Sequence, residues 1–295
     1  MATPQPGIFV RGLRAQAHLE FDLRPGVTVA AIRAAFGQLQ EVGLVQSAVA
    51  GFGDRLWRLL AAADAVPLGL APLARVQGTG GDMPVHQHDA WLWLADRGPD
   101  VVFDAARLAV AALAPALTLV EDTPGFVYRD GRDLTGFIDG SENPAPDAAV
   151  AVACIADGPG AGGAFALVQR WRHNLTRFQA LAQDEQERAI GRTKPDSVQL
   201  PELPANSHVA RMVVATPDGE LAIWRRSVPW GKATANGLQF VAFSADPQRF
   251  TAMLERMFGA APDGVADRLL EFSTPETGAL YFVPSTEALL RWVRG

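Results

Sequence analysis

A strand followed by a helix recurs four times along this chain of 295 residues, and this repeat constrains the fold more than any other feature. Each predicted helix carries apolar residues three and four positions apart, as in Val29, Ile32 and Phe36 of the first. Two such units in each half of the chain indicate that the two halves are related. The strands are predicted at residues 8–21, 90–94, 164–168 and 238–243, and the helices at residues 28–39, from 98, at 175–190 and from 246.

The order of these elements predicts the fold class. Further strands are predicted near residues 211–215, 221–224 and 281–283. An antiparallel sheet with helices packed on one face accommodates this order in each half. We therefore predict an α+β fold made of two ferredoxin-like halves. The turn-rich region 121–147 is the expected junction, which gives domains at residues 1–128 and 129–295.

The charge of the chain excludes some partners. With 26 basic and 32 acidic residues the net charge is −6, and the arginines are scattered rather than clustered. This balance argues against nucleic acid or an anionic membrane as the main partner. No basic segment followed by an apolar stretch marks a signal peptide. The longest apolar run, residues 108–120, is too short to span a bilayer, so we expect a soluble, cytoplasmic protein.

Cys154 is the only cysteine. An internal disulfide is therefore impossible, and no cysteine-based zinc or iron–sulfur site can be built. The chain also lacks a Cys-x-x-Cys-His motif, so any haem would be held non-covalently. A single cysteine in the run Ala-Val-Ala-Cys-Ile is typical of a core strand.

The chain has five histidines, which carry different expectations. His18 lies in an alternating strand, where an outward polar position is expected. His86 and His88 share a strand face, but no third metal ligand is obvious beside them. His173 stands at a strand-to-helix turn and is expected to cap the helix or lie on the surface. His208 precedes the apolar run 209–215, predicted as a strand, and a histidine there is either structural or a ligand on a rigid element.

Two further residues have the chemistry to act on a bound small molecule. Asp139 lies between glycines in Gly136-Phe137-Ile138-Asp139-Gly140, and Arg225 follows His208 by seventeen positions. The Asp-Gly pair could serve only a tight turn. Arg226, the neighbour of Arg225, would point to the opposite face if both arginines lie on a strand. A carboxylate, a histidine and a strong cation are also the groups that a haem peroxidase needs.

The glycine-flanked segment Gly136 to Gly140 matches the Gly-x-x-Asp-Gly signature of the dye-decolourising peroxidases, and the following Ser-Glu-Asn-Pro resembles the branch called type B. Further segments resemble this family in the same order, and the likeness is strongest from Gly136 to Pro284. These segments are Gln169–Leu175, Gly191–Lys194, Ser207-His208, Arg225–Gly231 and Thr277–Phe282. The resemblance implies non-covalent haem b, bound mainly by the C-terminal half.

The resemblance also implies roles for individual residues. His208 would be the proximal iron ligand, and Asp267 would accept its other N–H, although Asp267 could equally be a solvated helix carboxylate. Asp139 would move the peroxide proton, and Arg225 would stabilise charge as the O–O bond breaks. Arg225 is preferred to Arg226 because the motif places the arginine two positions before Ser227.

Other residues are implied at the edge of the same site. Arg192 and Lys194 resemble positions near the haem propionates, with ordinary surface charge as the alternative for Lys194. Asn143 and Glu142 would line the cavity edge, and Ser227 would take part in hydrogen bonding there. Surface aromatic residues carry electrons in this family. The candidates here are Trp171, Trp224, Trp230 and Tyr281, with ordinary packing as the commoner role of such residues.

The leading function is therefore a haem peroxidase that reduces hydrogen peroxide through a ferryl intermediate and oxidises phenols, aromatic dyes or Mn²⁺ in one-electron steps. The alternative is a haem-handling protein that releases iron, with incidental peroxidase activity. A haem-thiolate enzyme using Cys154 and a cofactor-free dimer are weaker alternatives. The resemblance implies a homo-oligomer, and since residues 286–293 read as a final helix without a tail, packaging into a protein shell is not expected.

Overall fold

The computed structural model describes residues 2–41, 48–217 and 219–294, and each half of the chain forms an antiparallel sheet with helices. The predicted α+β class is confirmed. Short 3-10 turns lie at Pro6–Ile8, Ala63–Ala65 and Arg268–Glu271. In the first half the elements are β1 (Ala15–Leu23), α1 (Val29–Glu41), β2 (Ala48–Phe52), α2 (Asp54–Leu60), β3 (Gln77–Gly78), β4 (Gly81–Asp82), β5 (Ala90–Asp96), α3 (Pro99–Leu113) and β6 (Leu117–Phe126).

The second half repeats this order with more short elements between the strands. They are α4 (Ala149–Ala153), β7 (Ala164–His173), α5 (Leu175–Gln179), α6 (Gln183–Ile190), α7 (His208–Met212), β8 (Ala215–Thr216), β9 (Gly219–Glu220), β10 (Trp224–Arg225), β11 (Val228–Lys232), β12 (Ala235–Ser244), α8 (Gln248–Met257), β13 (Ser273–Pro275), β14 (Ala279–Val283) and α9 (Thr286–Arg294).

Both halves have the ferredoxin-like strand order. The first sheet runs β6-β1-β5-β2, and the second runs β14-β7-β12-β11, so in each the first and third strands are central. The sheets meet at two edges, through Trp230 opposite Gly125 and Phe282 opposite Phe52. These pairings close the eight strands into a ring. The sequence did not predict this closure, and the domain boundary between residues 128 and 129 stays a prediction.

The interior of the ring is apolar and aromatic but includes buried polar side chains. His18 lies there, with its ring nearly parallel to those of Trp91 and Trp93 at 6.0 Å from each, and with its Nε2 3.1 Å from the Gln16 side-chain oxygen. The predicted outward position of His18 is therefore wrong, because β1 turns its polar side chains inward. Burial lowers the pKa of His18 to about 3 and raises that of Glu20 to about 7.

The helices cover the outer face of the strands in a second core. Phe21 of β1, Ile32 and Phe36 of α1 and Leu113 of α3 are buried there, which confirms the apolar face predicted for the first helix. The rings of Trp292 of α9 and Phe36 meet in a T-shaped contact, with centroids 5.3 Å apart. The last helix of the second half, α9, thus packs against α1, the first helix of the first half.

Several element predictions are wrong in detail. Residues 8–10 are not in a strand, since β1 begins at Ala15. The helix predicted at residues 175–190 is two helices, because Ala182 has an extended backbone. Residues 221–223 are outside any strand, whereas residues 281–283 lie in β14 as predicted. Cys154 ends α4 instead of lying in a strand, although it is buried as expected, and burial raises the pKa of its thiol to about 12.

The close pairing of β7 and β12 depends on a glycine, which gives a stability prediction. A Cβ at Gly237 would lie 1.9 Å from the Trp171 carbonyl oxygen. We expect Gly237→Ala to lower the free energy of unfolding by about 1–3 kcal/mol or more, because backbone must shift to admit the methyl group. Chemical denaturation of the purified protein measures the change.

The matched control is Gly37→Ala in α1. A Cβ there meets only the Val293 side chain, at 3.9 Å, which is ordinary contact. Alanine in a helix interior should stabilise the protein by about 0.5–1 kcal/mol. Equal effects of the two substitutions would contradict the close approach at Gly237.

Candidate active site

His208 is the first residue of α7, and its ring is fixed by a buried carboxylate. Its Nδ1 lies 2.6 Å from Oδ2 of Asp267. The Asp267 side chain is 0% exposed, and its Oδ1 accepts a hydrogen bond of 2.8 Å from the Leu269 amide. A carboxylate only accepts, so Nδ1 carries the hydrogen and Nε2 is left available as a ligand. Asp267 is thus not a solvated helix carboxylate.

The strand predicted at residues 209–215 is wrong, because a short helix starts at His208. Ser207 caps it: the Ser207 hydroxyl accepts from the Ala210 amide and donates to the Pro204 carbonyl. Arg211 is buried and donates to both carboxylate oxygens of Asp263, at 2.8 and 2.9 Å. The cap and this ion pair fix α7, so His208 is still held on a rigid element.

Asp139 lies in a loop whose shape requires its two flanking glycines. Gly136 has φ 93° and Gly140 has φ 76°, a region that other residues rarely adopt. The Asp139 amide donates to the Gly131 carbonyl at 3.3 Å. Burial raises the pKa of the Asp139 carboxyl, and attraction to Arg225 partly opposes this shift. This carboxyl group is therefore easier to protonate than that of an ordinary aspartate.

Arg225 lies in β10 and is fixed through its backbone. The Asn143 side chain accepts from the Arg225 amide at 2.8 Å and donates to the Arg225 carbonyl at 2.9 Å. The Nε of Arg225 is buried without a hydrogen-bond partner in the part of the chain that the structure describes. Burial lowers the pKa of Arg225, and attraction to Asp139 partly opposes this. Arg226 instead donates to the Ile8 carbonyl at 2.7 Å, on the other side of the strand.

These residues share one cavity of about 260 Å³. It lies between α7 and α8 on one side and the outer face of β7 and β12 on the other. His208, Asp139 and Arg225 all line it, and most of the remaining wall is apolar. The apolar lining includes Leu167, Trp171, Leu238, Phe240, Met253 and Leu254. The structure thus brings a fixed histidine, a carboxylate and a cation around an apolar space.

Other predicted site residues lie away from the cavity wall. Arg192 donates to Glu142, which does line the cavity, and to the Ser197 carbonyl at 2.5 Å. The Lys194 ammonium donates to the Gln186 side chain at 2.6 Å and lies 5.5 Å from the centre of the Phe137 ring. The Ser227 hydroxyl accepts from the Val241 amide at 3.4 Å. Asn143 acts on the Arg225 backbone rather than as a bare edge residue.

Sequence reasoning missed a network beside Asp139. His173 is buried and lines the cavity, so the expected capping or surface role is wrong. The helix cap is Asn174, whose side chain accepts from the Arg177 amide at 3.0 Å. The His173 ring instead contacts Asp133 at 3.0 Å and Ser273 at 2.7 Å. No spacing in the sequence links these positions, which are 40 and 100 residues from His173.

The remaining candidates have other surroundings. His88 contacts the Asp22 carboxylate at 3.0 Å, and the described residues contain no group of three or more side chains suited to a metal ion. Trp171, Trp224 and Tyr281 are buried and Trp230 is half-buried, so none is a fully exposed surface aromatic. Within residues 2–41, 48–217 and 219–294, no helix is long and apolar enough to cross a membrane.

Comparison with known proteins agrees with this arrangement. The family models "Dyp-type peroxidase, N-terminal" and "Dyp-type peroxidase, C-terminal" match residues 23–127 and 130–288. A dye-decolorizing peroxidase of Mycolicibacterium paratuberculosis is 36% identical over 252 residues, 82% of this chain and 70% of the relative.

Solved structures share the fold over nearly the whole chain. A putative Dyp-type peroxidase from Shewanella oneidensis superposes with a TM-score of 0.92 at 27% identity, covering 99% of both chains. A DypB variant from Rhodococcus jostii, solved in complex with heme, has a TM-score of 0.89 at 34% identity, covering 97% of this chain and 98% of that one.

The fold, the histidine, carboxylate and cation around one cavity, and the matched relatives together identify the chain as a peroxidase. The chain belongs to the Dyp-type peroxidase family.

Proposed function

We propose that this peroxidase holds haem b non-covalently in the cavity, reduces hydrogen peroxide and oxidises phenolic or dye-type aromatic donors one electron at a time. The observation that carries the proposal is the common cavity of the Asp267-supported His208 and the Asp139–Arg225 pair. The solved heme complex of the Rhodococcus jostii relative supports the choice of cofactor. Bound haem supplies the iron at which peroxide is cleaved and to which the donors give their electrons.

The residues present fit haem. His208 offers a neutral nitrogen whose partner nitrogen is held by a carboxylate, as ligating histidines usually require. The apolar wall suits a macrocycle, and the buried, unpartnered Nε of Arg225 suits a polar ligand. His208 would hold the iron, and Asp267 would raise the basicity of the histidine. The C-terminal half supplies most of the cavity, so it would bind most of the haem.

Asp139 and Arg225 supply the acid–base and electrostatic chemistry. An ionised Asp139 carboxylate oxygen takes the proton of peroxide and returns it to the departing oxygen as water forms. The Arg225 guanidinium stabilises negative charge that develops on that oxygen. Because its Nε is buried and its backbone is fixed by Asn143, this cation needs little reorganisation. A haem-handling protein that releases iron, the alternative function, has no use for this pair.

Three further features stay proposals. A cytoplasmic location is supported by the single buried thiol of Cys154, which suits a reducing compartment. Homo-oligomerisation and the ferryl intermediate rest on the family resemblance.

Replacing the proposed ligand tests the cofactor. In His208→Ala we expect haem affinity to fall at least about 10–100-fold, because ligand loss should cost no less than loss of a ligand's partner. Titration of apoprotein with haem, followed by the Soret band, measures affinity, and added imidazole should partly restore the spectrum. His86→Ala is the matched control, since His86 is exposed and outside the cavity. Equal haem affinity and spectra in both variants would contradict His208 as the ligand.

A further inference from the structure

His173 connects parts of the active site that are far apart in the sequence. It is the last residue of β7, its side chain is 6% exposed, and both ring nitrogens are engaged. Nε2 lies 3.0 Å from the Asp133 carboxylate, and Nδ1 lies 2.7 Å from the Ser273 hydroxyl. Since a carboxylate only accepts, Nε2 carries a hydrogen and donates it to Asp133. The imidazole ring of His173 therefore contacts Asp133 at one end and Ser273 at the other.

Asp133 starts the turn that leads to Asp139. Its amide donates to the Phe137 carbonyl at 2.9 Å, and its carbonyl accepts from the Gly136 amide at 2.9 Å. Its carboxylate also accepts from the Thr135 amide at 2.9 Å and from the Thr135 hydroxyl at 2.5 Å. This turn ends two residues before Asp139. A shift of Asp133 would therefore move the carboxylate of Asp139.

Ser273 starts β13, directly after the turn that Asp267 begins. Asp267 caps the 3-10 turn Arg268–Glu271, and the Phe272 amide donates to the Leu269 carbonyl at 2.9 Å. Ser273 pairs with His173 in the β7–β13 register. The hydrogen-bonded chain Asp133–His173–Ser273 thus runs from the loop of Asp139 to the segment of Asp267, which fixes His208.

We propose that Asp133–His173–Ser273 is a positioning chain that sets where the Asp139 carboxylate lies relative to the His208 side of the cavity. The proposal rests on the catalytic role proposed for Asp139. His173 acts through Asp139 rather than on substrate, because both its ring nitrogens are occupied by protein groups. Misplacement of a catalytic group by about 1 Å costs up to about 10²-fold in rate.

The charge of Asp133 gives the positioning chain a second effect on Asp139. Burial alone would raise the pKa of Asp133, but the attraction and hydrogen bond of His173, together with Thr135, lower it to about 2. Asp133 is therefore ionised. The titratable groups that act on Asp139 are Arg225 from β10, His208 from α7 and Asp133 from its own loop, and the negative charge of Asp133 raises the pKa of Asp139.

A double-mutant cycle in the haem-loaded enzyme tests the proposal. We expect His173→Phe to lower kcat about 10–100-fold with little change in KM for peroxide. In an Asp139→Asn background the same substitution should have almost no further effect. His173→Gln, whose amide can donate to Asp133, should recover much of the loss. An equal fold loss in both backgrounds would overturn the proposal.

Two measurements separate positioning from a folding defect and from failure of the proposed function. Thermal unfolding and the Soret spectrum identify any variant that is unfolded or lacks haem. In Asp133→Asn the acid limb of the pH–rate profile should move to lower pH, because Asp133 raises the pKa of Asp139. An acid limb that does not move would contradict the proposed positioning chain. If Asp139→Asn alone has no effect, the role of Asp139 fails and the inference falls with it. If Asp139→Asn is impaired but His173→Phe is additive, only the inference fails.

Discussion

Replacing Arg225 with leucine is expected to lower kcat/KM for hydrogen peroxide by about 10²–10³-fold, the range found when one preorganised donor to a developing negative charge is removed. The Nε of Arg225 is buried, and the backbone of this residue is fixed by Asn143. Water cannot readily replace such a charge in an apolar cavity, so the loss should fall on the transition state. Stopped-flow reaction of the ferric, haem-loaded enzyme with peroxide measures it.

The loss of kcat/KM in Arg225→Leu should be large because removing the arginine also affects Asp139. Burial raises the pKa of Asp139, and the attraction of Arg225 opposes that shift. Without the arginine the pKa should rise further, and a larger fraction of Asp139 is protonated and unable to accept a proton. The acid limb of the pH–rate profile should therefore move to higher pH in Arg225→Leu.

Arg226→Leu is the neighbouring control. The Arg226 guanidinium donates to the Ile8 carbonyl and lies 5.2 Å from the centre of the Trp93 ring, away from the cavity. Its loss should reduce stability and leave kcat/KM per folded, haem-loaded molecule close to the parent value. A larger catalytic loss in Arg226→Leu than in Arg225→Leu would reverse the assignment of the two arginines.

The sequence predicts those parts of the fold that depend on local pattern. The apolar spacing of Val29, Ile32 and Phe36 requires only neighbours along the chain, and α1 forms where that spacing lies. The apolar run after His208 misleads for the same reason. Its residues suit a strand locally, but the Ser207 cap and the ion pair of the buried Arg211 with Asp263 stabilise a helix. A tertiary ion pair 52 residues apart leaves no periodic signal.

The motifs of the sequence mark part of the candidate site. Asp139, Arg225 and His208 stand in recognisable segments, and the structure places all three on one cavity. His173 also stands in a recognisable segment, but nothing in the sequence links it to Asp133 and Ser273, which lie on a loop and a short strand that only folding brings together. Ring closure through the Trp230 and Phe282 pairings is likewise a property of the assembled sheets.

Replacing Asp139 with asparagine is expected to lower kcat/KM for peroxide by about 10²–10⁴-fold at neutral pH, the usual contribution of a general acid–base group. Asparagine nearly keeps the shape of aspartate but cannot accept the peroxide proton. Haem binding should be unchanged, because Asp139 does not contact His208 or Asp267 through a hydrogen bond in the described part of the chain. Asp157→Asn, at an exposed position outside the cavity, is the control.

The pH profile identifies the role of Asp139 more sharply than the rate at one pH. The base acts only when ionised, so activity of the parent should fall as pH decreases through the pKa of Asp139. Because burial raises that pKa, the acid limb should begin above the ordinary range of an aspartate. In Asp139→Asn this limb should disappear, leaving a low and nearly flat rate over the same range. A limb that persists unchanged in Asp139→Asn would assign it to another group and leave Arg225 as the main catalytic residue.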